Sequence, residues 1–515
     1  MPHPKSQVMV YRIFLSILSA FFLILSYPKF NLVFLAWIAF IPLFIALEHT
    51  NVKERLIIGY LFGVFFFSGV LYWLTNVSIL GTVILVLFLS LGPAFFCALH
   101  SLAINHKPLD ALFIPSIWVL IEYIYTYIFT GFPWALLGYS QYLNLPFIQI
   151  SDITGPYGVS FIIILVNFCI YSFIKKFPKK EEYGLVTLIL VVSAFIYGIF
   201  KLNEDYVCPS LVASVVQGNI PQEMKWDENY KKFILDKYET LTYKAIKNRP
   251  DIVIWPETSV PGILEKEVNI YKTAAGIAKF IKTNLLVGTV RKEGAIFYNS
   301  ASLLSKDGDI LDSYDKMHLV PFGEYIPLEK YMPKFRNMID KTIGDFSPGA
   351  AYKLFKISVE YVSVLGNERF RDIKFFTFGT LICYEDIFPA ISRNFVKEGA
   401  EFIVNITNDA WFGDSSAPYQ HLQSSVFRAV ENRVPFIQCA NTGISCFINQ
   451  KGRITDIVWK DGKETYVDGY KDKKIYPLRR ITFYNRFGDM FCLLCFILFI
   501  ICIIEHKLAY DKIKL

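Results

Sequence analysis

Long apolar runs with short polar breaks fill residues 1 to about 202. From about 206 to 480 the pattern changes to short apolar runs alternating with amphipathic stretches, and a last apolar run occupies 487–505. A helix needs about 20 apolar residues to cross a bilayer. The runs therefore predict spans near 8–26, 31–47, 56–75, 79–104, 109–129, 157–175 and 184–201, with an eighth over 487–505; the second is short. The first run starts with basic residues (Lys5, Arg12) but has no small-x-small cleavage site before Ser26-Tyr27-Pro28-Lys29. It is expected to be an uncleaved first helix and not a secretory signal.

The middle block reads as one α/β domain. Strands are expected over Leu211–Gln217, Asp251–Trp255, Leu285–Val290, Phe375–Ile382, Phe402–Ile406, Phe436–Cys439 and Ser445–Ile448. Helix-length stretches at 227–247, 266–282, 388–398 and 418–433 lie between several of them, a pattern that favours a sheet layered with helices. The polar stretch 358–372 is expected to be an exposed inserted loop.

Composition agrees with lipid contact. Hydrophobic residues make up 54% of the 515, and charged ones only 19%, against roughly 25% in an average soluble domain. The net charge of +7 suggests nucleic acid until its distribution is considered. Lys5, Arg12, Lys53, Arg55, Lys107, Lys175, Lys176, Lys179, Lys180, Lys507, Lys512 and Lys514 fall in alternate short segments, and the opposite segments before 206 hold only Lys29. That asymmetry marks cytoplasmic loops, not a phosphate-binding face. Both termini are expected in the cytoplasm, and seven spans then put 206–480 on the far side.

Candidate chemistry lies at the ends of strands. Cys383 closes the apolar run TFGTLIC and opens the turn YEDIFP. Helix N-terminal N–H groups at such a turn lower a thiol pKa and stabilise an oxyanion. Glu257 in IVIWPETSVP also follows a strand, and Lys316 lies in YDKMHLVPFGEYIP. Taken singly, each of these residues reads as ordinary structure: a structural cysteine, an exposed loop carboxylate and a surface lysine. His318 suggests a Cys–His pair, but a lone histidine before an apolar run favours a structural role. Cys439 and Cys446, on neighbouring strands, are either a pair or buried thiols. Cys492 and Cys495 have no histidine partner, so no metal site is expected. Glu122, inside an apolar span, either pairs with the 130–141 segment, lines a lipid path or joins helices.

The motifs WPE (255–257), YDK (314–316), ICYED (382–386), NDAWFG (408–413) and RAVENRVPF (428–436) together resemble the nitrilase, or carbon–nitrogen hydrolase, superfamily. TGFPWALLGYSQ (130–141), GPYGVSF (155–161), VQGNIPQEMKW (216–226) and HLVPFGEYIP (318–327) narrow the resemblance to its membrane members, the apolipoprotein N-acyltransferases. The 358–372 stretch departs from that pattern. The resemblance implies a multi-pass α-helical membrane domain over 1–205, an α/β nitrilase-like αββα sandwich over 206–480, an eighth span over 487–505 and a cytoplasmic tail over 506–515. It implies a Glu257–Lys316–Cys383 triad, with Glu324, Glu385 and Tyr384 around it and Trp226 at the acyl chain. A lysine among several carboxylates stays charged and fixed, which supports the two glutamates bottom-up. The implied reaction moves an acyl chain from a membrane phospholipid, through a thioester on Cys383, to the N-terminal amine of a lipoprotein's diacylglyceryl-cysteine. It calls for no cofactor and no nucleic acid. A monomer in the bacterial inner membrane is expected, with the catalytic domain periplasmic. A membrane-anchored amidase would share the triad but needs only one anchor. A transporter would require more ionisable residues in its spans.

Overall fold

The computed structural model describes residues 4–103, 110–205, 208–225, 227–325, 345–365 and 368–514. They form two compact units, one of Met1–Glu204 with Phe487–Leu515 and one of Asp205–Arg486.

The first unit is helical. Its helices run over Pro4–Leu25, Ile41–Ala46, Val52–Val70, Ile79–Leu89, Leu91–Leu99, Asp110–Tyr127, Tyr157–Ile174, Lys180–Asn203 and Met490–Lys514. Among the described residues, Gln7–Leu25, Ile79–Leu99, Tyr157–Ile174 and Lys180–Asn203 are long and apolar enough to cross a membrane. The helix Val52–Val70 opens with Lys53-Glu54-Arg55, capped by Asn51 and Glu54. The short second run splits into a 3₁₀ turn, Val33–Trp37, and a helix, Ile41–Ala46. Irregular backbone buried among apolar helices must find partners inside the protein, and buried polar side chains supply them. Asn167 accepts from Phe40 N at 2.9 Å and donates to Ala36 O at 2.9 Å. Gly138 N donates to Ser160 Oγ at 2.8 Å. Glu122 Oε1 accepts from Leu137 N at 2.6 Å and from Trp118 Nε1 at 2.9 Å. Glu122 thus pairs with the 130–141 segment.

The second unit holds twelve strands: β1 Leu211–Gln217, β2 Ile252–Ile254, β3 Asn284–Glu293, β4 Ile296–Leu304, β5 Ile310–Asp315, β6 Leu354–Leu365, β7 Glu368–Ile382, β8 Phe402–Thr407, β9 Phe436–Ala440, β10 Cys446–Ile448, β11 Ile454–Ile457 and β12 Gly469–Ile475. They build two six-stranded sheets, in the orders β12-β1-β2-β3-β4-β5 and β11-β10-β9-β8-β7-β6. In each, three inner strands run parallel (β1, β2, β3 and β7, β8, β9) and the flanks pair antiparallel. Helices Lys231–Ala245 and Val268–Ile281 bury Ile234, Tyr238, Ile270 and Ile277 against Val253, Leu285 and Val287 of the first sheet. Helices Pro389–Glu398 and Ala417–Asn432 cover the second. The sheets meet face to face, where the Cys439 thiol donates to Ile254 O at 3.3 Å. The unit is therefore a helix–sheet–sheet–helix sandwich.

Within the stretch 358–372, the described residues 358–365 and 368–372 are strand and not loop. β6 and β7 pair from Leu354↔Gly379 out to Leu365↔Glu368. Phe355, Ile357 and Val359 point inward while Lys356, Ser358 and Glu360 face solvent. This period-two alternation, rich in β-branched residues, suits a half-buried antiparallel strand. The polar half of the alternation is what made the stretch look like an insertion.

Candidate active site

In open parallel arrangements the crevice for chemistry forms beyond the carboxyl ends of the strands. Glu257 follows β2, Cys383 follows β7 and Asp409 follows β8. Lys316 follows β5, and its backbone is pinned by Lys316 N to Asn299 O at 2.8 Å and by Gly349 N to Lys316 O at 2.8 Å.

Each side chain is held by its local fold. Trp255 anchors the Glu257 turn: its ring stacks on Tyr238 at 4.9 Å and its Nε1 donates to Thr242 Oγ1 at 2.9 Å. The turn needs Thr258 in the left-handed region, at φ +46°, an outlier for a β-branched residue. Gly288 of β3 lies directly under it; a Cβ there would come within 2.4 Å of Pro256 O and 2.6 Å of Glu257 Cα. Cys383 is also left-handed, at φ +55°, which turns it out of the strand into the 3₁₀ turn Cys383–Ile387. Its carbonyl accepts from Asn405 Nδ2 at 3.3 Å.

The charges converge on Lys316, which is 1% exposed. Its Nζ lies 2.9 Å from Glu324 Oε2 and 3.7 Å from Glu257 Oε1. Asn299 Nδ2 donates to both glutamates at 2.7 Å, so one amide sets the two carboxylates around the ammonium. Burial alone would lower the Lys316 pKa; Glu324, then Glu257 and Cys383, outweigh burial and hold the ammonium charged. Burial pushes the Cys383 thiol well above its ordinary value, and Glu257 adds to that while Lys316 opposes it. The sulfur thus rests as a thiol within the field of a carboxylate and a cation.

Of the surrounding residues named from sequence, Glu324 touches Lys316, and Glu385 adds to the negative charge that keeps Lys316 protonated. Its Oε1 accepts from Tyr314 OH, Met317 N and His318 N at 2.9, 2.7 and 3.1 Å, and its Oε2 from Ile382 N at 2.8 Å. It ties the loop after β5 to the turn carrying Cys383, and burial raises its pKa to about 7. Tyr384 is buried and packs on Phe388 at 5.2 Å. Trp226 lies outside the described residues. The His318 ring packs against Phe388, tilted, with centroids 3.9 Å apart. Cys439 and Cys446 are buried free thiols.

Sequence reasoning missed Asn299, Lys225 and a buried cluster of Asp386, Asp409 and His421. Lys225 is 3% exposed and donates to Glu257 O and Thr258 Oγ1, both at 3.0 Å. Burial lowers its pKa to about 7 against the pull of Glu257 and Cys383. Its place beside Trp226 in a motif that had already been singled out was the one signal available.

Comparison with known proteins agrees with this architecture. A family profile described as the apolipoprotein N-acyltransferase N-terminal domain matches residues 19–169, and one described as carbon-nitrogen hydrolase matches residues 212–467. An apolipoprotein N-acyltransferase of Geobacter metallireducens is 37% identical over 505 residues, covering 93% of this chain and 92% of the relative. One of Rickettsia prowazekii is 33% identical over 476 residues, covering 86% and 88%. Among solved structures, an amidase of the nitrilase superfamily from Nesterenkonia covers 56% of this chain and 98% of its own, at 18% identity and a TM-score of 0.38. Matched along nearly its whole length by relatives of one kind, with a membrane-type N-terminal domain joined to a carbon–nitrogen hydrolase sandwich, the chain belongs to the apolipoprotein N-acyltransferase family.

Proposed function

We propose that this membrane enzyme N-acylates lipoproteins in two steps on Cys383. In the first, the Cys383 sulfur attacks the ester carbonyl of a phospholipid while Glu257 takes the thiol proton. The tetrahedral oxyanion is stabilised by the Lys316 ammonium and the Tyr384 backbone N–H. Collapse breaks the C–O bond, and the lysophospholipid leaves with the proton from Glu257. In the second step the α-amine of a diacylglyceryl-cysteine attacks the thioester and gives a proton to Glu257. The C–S bond breaks, and the sulfur recovers its proton. Dividing one exchange into two acyl transfers is the advantage of a covalent intermediate, and it makes the kinetics ping-pong. The observation that carries this reading is the convergence of a buried thiol, a buried carboxylate and a buried ammonium 3.7 Å from that carboxylate, at the carboxyl ends of separate strands. The Lys and Arg asymmetry supports eight spans, cytoplasmic termini and a periplasmic catalytic domain in the inner membrane, and nothing in the chemistry calls for a second copy of the chain.

The test is transfer of an alkyne-labelled acyl chain from phospholipid to purified full-length enzyme. A hydroxylamine-sensitive adduct on Cys383 is expected, absent in Cys383→Ser. Glu257→Gln keeps the shape but cannot take a proton, and Lys316→Met keeps the length but loses the charge. Both should lose loading, Lys316→Met by about 10²–10³-fold, with thermal melts confirming folding. Full activity in Cys383→Ser removes the nucleophile assignment. Normal loading in Glu257→Gln gives the thiol proton to another group.

A further inference from the structure

Beneath Cys383 lies a set of titratable side chains that the two-step reaction leaves unused. His421, in the helix Ala417–Asn432, Asp386, in the turn after β7, and Asp409, after β8, are each 0% exposed. His421 Nδ1 lies 3.1 Å from Asp409 Oδ1. His421 Nε2 lies 2.7 Å from Asp386 Oδ1 and 3.2 Å from the Cys383 carbonyl oxygen. Ionised carboxylates and carbonyls only accept, so each ring nitrogen carries a hydrogen and the ring is an imidazolium. Burial alone would remove that charge; Asp386 and Asp409 outweigh burial and keep it. Asp386 is further held by the Ser425 hydroxyl, at 2.6 Å from its Oδ2.

The connection to the nucleophile runs through Thr407, the last residue of β8. Its hydroxyl donates to Asp409 Oδ1 at 3.1 Å, and hydrogen bonding by the same side chain works against the burial that raises the Cys383 thiol. A hydroxyl has one proton to donate. It goes to the carboxylate or to the sulfur, and the charge on each decides which.

We propose that His421 is a positioning residue for Cys383: its charge satisfies Asp409 and releases the Thr407 hydroxyl to donate to the thiolate as it forms, while its Nε2–H holds the Cys383 carbonyl in the left-handed turn. Thr407 acts on the reacting sulfur, and Asp409 and His421 act through it. The inference rests on Cys383 being the nucleophile. The charges facing the sulfur are Glu257 and Asp409, which disfavour the thiolate, and Lys316, which favours it; Lys225 is also within its field. A hydroxyl turned toward the sulfur adds a neutral donor, and a satisfied Asp409 weakens a rival acceptor.

The experiment measures alkylation of Cys383 by iodoacetamide across pH in the full-length enzyme in detergent, quantified on the Cys383 peptide by mass spectrometry. Thr407→Val keeps the shape and removes the hydroxyl; the alkylation midpoint should rise by about one pH unit. Thr407→Ser keeps the hydroxyl and should return the midpoint to within about 0.3 units of wild type. Asp409→Asn removes the competing charge, so the midpoint should fall. His421→Gln should raise it, and adding Thr407→Val to His421→Gln should raise it little further, because both act on one hydroxyl. A purely structural cluster predicts unfolding or no change, not shifts of opposite sign. An unmoved midpoint in Thr407→Val, or a rise in Asp409→Asn, overturns the proposal. If His421→Gln does not fold, the Thr407 and Asp409 variants decide. Failure of the nucleophile assignment is seen separately, as wild-type enzyme with no acyl adduct on Cys383, and does not affect the alkylation profile.

Discussion

A buried ammonium persists only where oxygens offset its lost hydration, and the two lysines of this site are answered differently. Lys316 has two carboxylates within 4 Å and stays charged. Lys225 has a carbonyl and a hydroxyl, and its pKa falls from 10.5 to about 7. Between those values the unfolded chain holds a proton that the folded chain has released. Stability therefore rises as pH increases from about 7 toward 10.5, by on the order of 1 kcal/mol per unit at most, and the full penalty applies below 7. Lys225→Met has no such proton, so its thermal melts in detergent at pH 7 and pH 9 should lie closer together than those of wild type. An equal spacing would assign the linkage to another group. Lys316, Glu257 and Cys383 were legible in the chain because YDK, WPE and ICYED are recognisable motifs. Asp386 and Asp409 lie inside two of the quoted motifs, but their roles, like those of Asn299 and His421, were not legible: Asn299 meets Glu257 and Glu324, and His421 meets Asp386 and Asp409, only once the sheets have formed.

The same division holds among elements. β1, β2, β8 and β9 are buried on both faces, so they read as continuous apolar runs and were legible. β12, GYKDKKI, pairs with β1 at a sheet edge and carries Lys471, Lys473 and Lys474; charge suits an edge strand but conceals it from an apolar search. β6 was missed because alternation was taken for polarity. β3 shows how an element that supplies no reacting group can control the chemistry. Gly288 leaves room for the turn of Glu257, and a methyl group there would meet backbone, not a movable side chain. Gly288→Ala should push that turn away from Lys316. A misplacement of about 1 Å can cost 10²-fold, so acyl loading should fall by about 10- to 100-fold. Overpacking of this kind costs about 1–3 kcal/mol, so the melt should show a folded protein. Normal loading in the folded variant would mean that the Glu257 turn tolerates displacement.

For the whole molecule, the proposed topology follows from counting, and a count is fragile: losing one span would reverse the side on which residues 205–486 lie. The argument rests on charge. Lys175, Lys176, Lys179 and Lys180 crowd the short segment between the helices Tyr157–Ile174 and Lys180–Asn203, while the 130–156 segment has no Lys or Arg at all. Positive residues in short loops are retained on the cytoplasmic side. Two exposed positions test this without disturbing the fold. Asp307 lies in the turn between β4 and β5, and Lys176 lies between the two helices; both side chains face solvent. In intact spheroplasts an impermeant maleimide should label cysteine placed at Asp307 and spare cysteine placed at Lys176, with each site read by peptide mapping. After lysis both should label. Cys383, Cys439 and Cys446 are buried and should contribute little background. The opposite result, with Lys176→Cys labelled first, would put the sandwich in the cytoplasm. It would then have no access to lipoproteins that mature outside, and the proposed acceptor would fall while the chemistry at Cys383 stood.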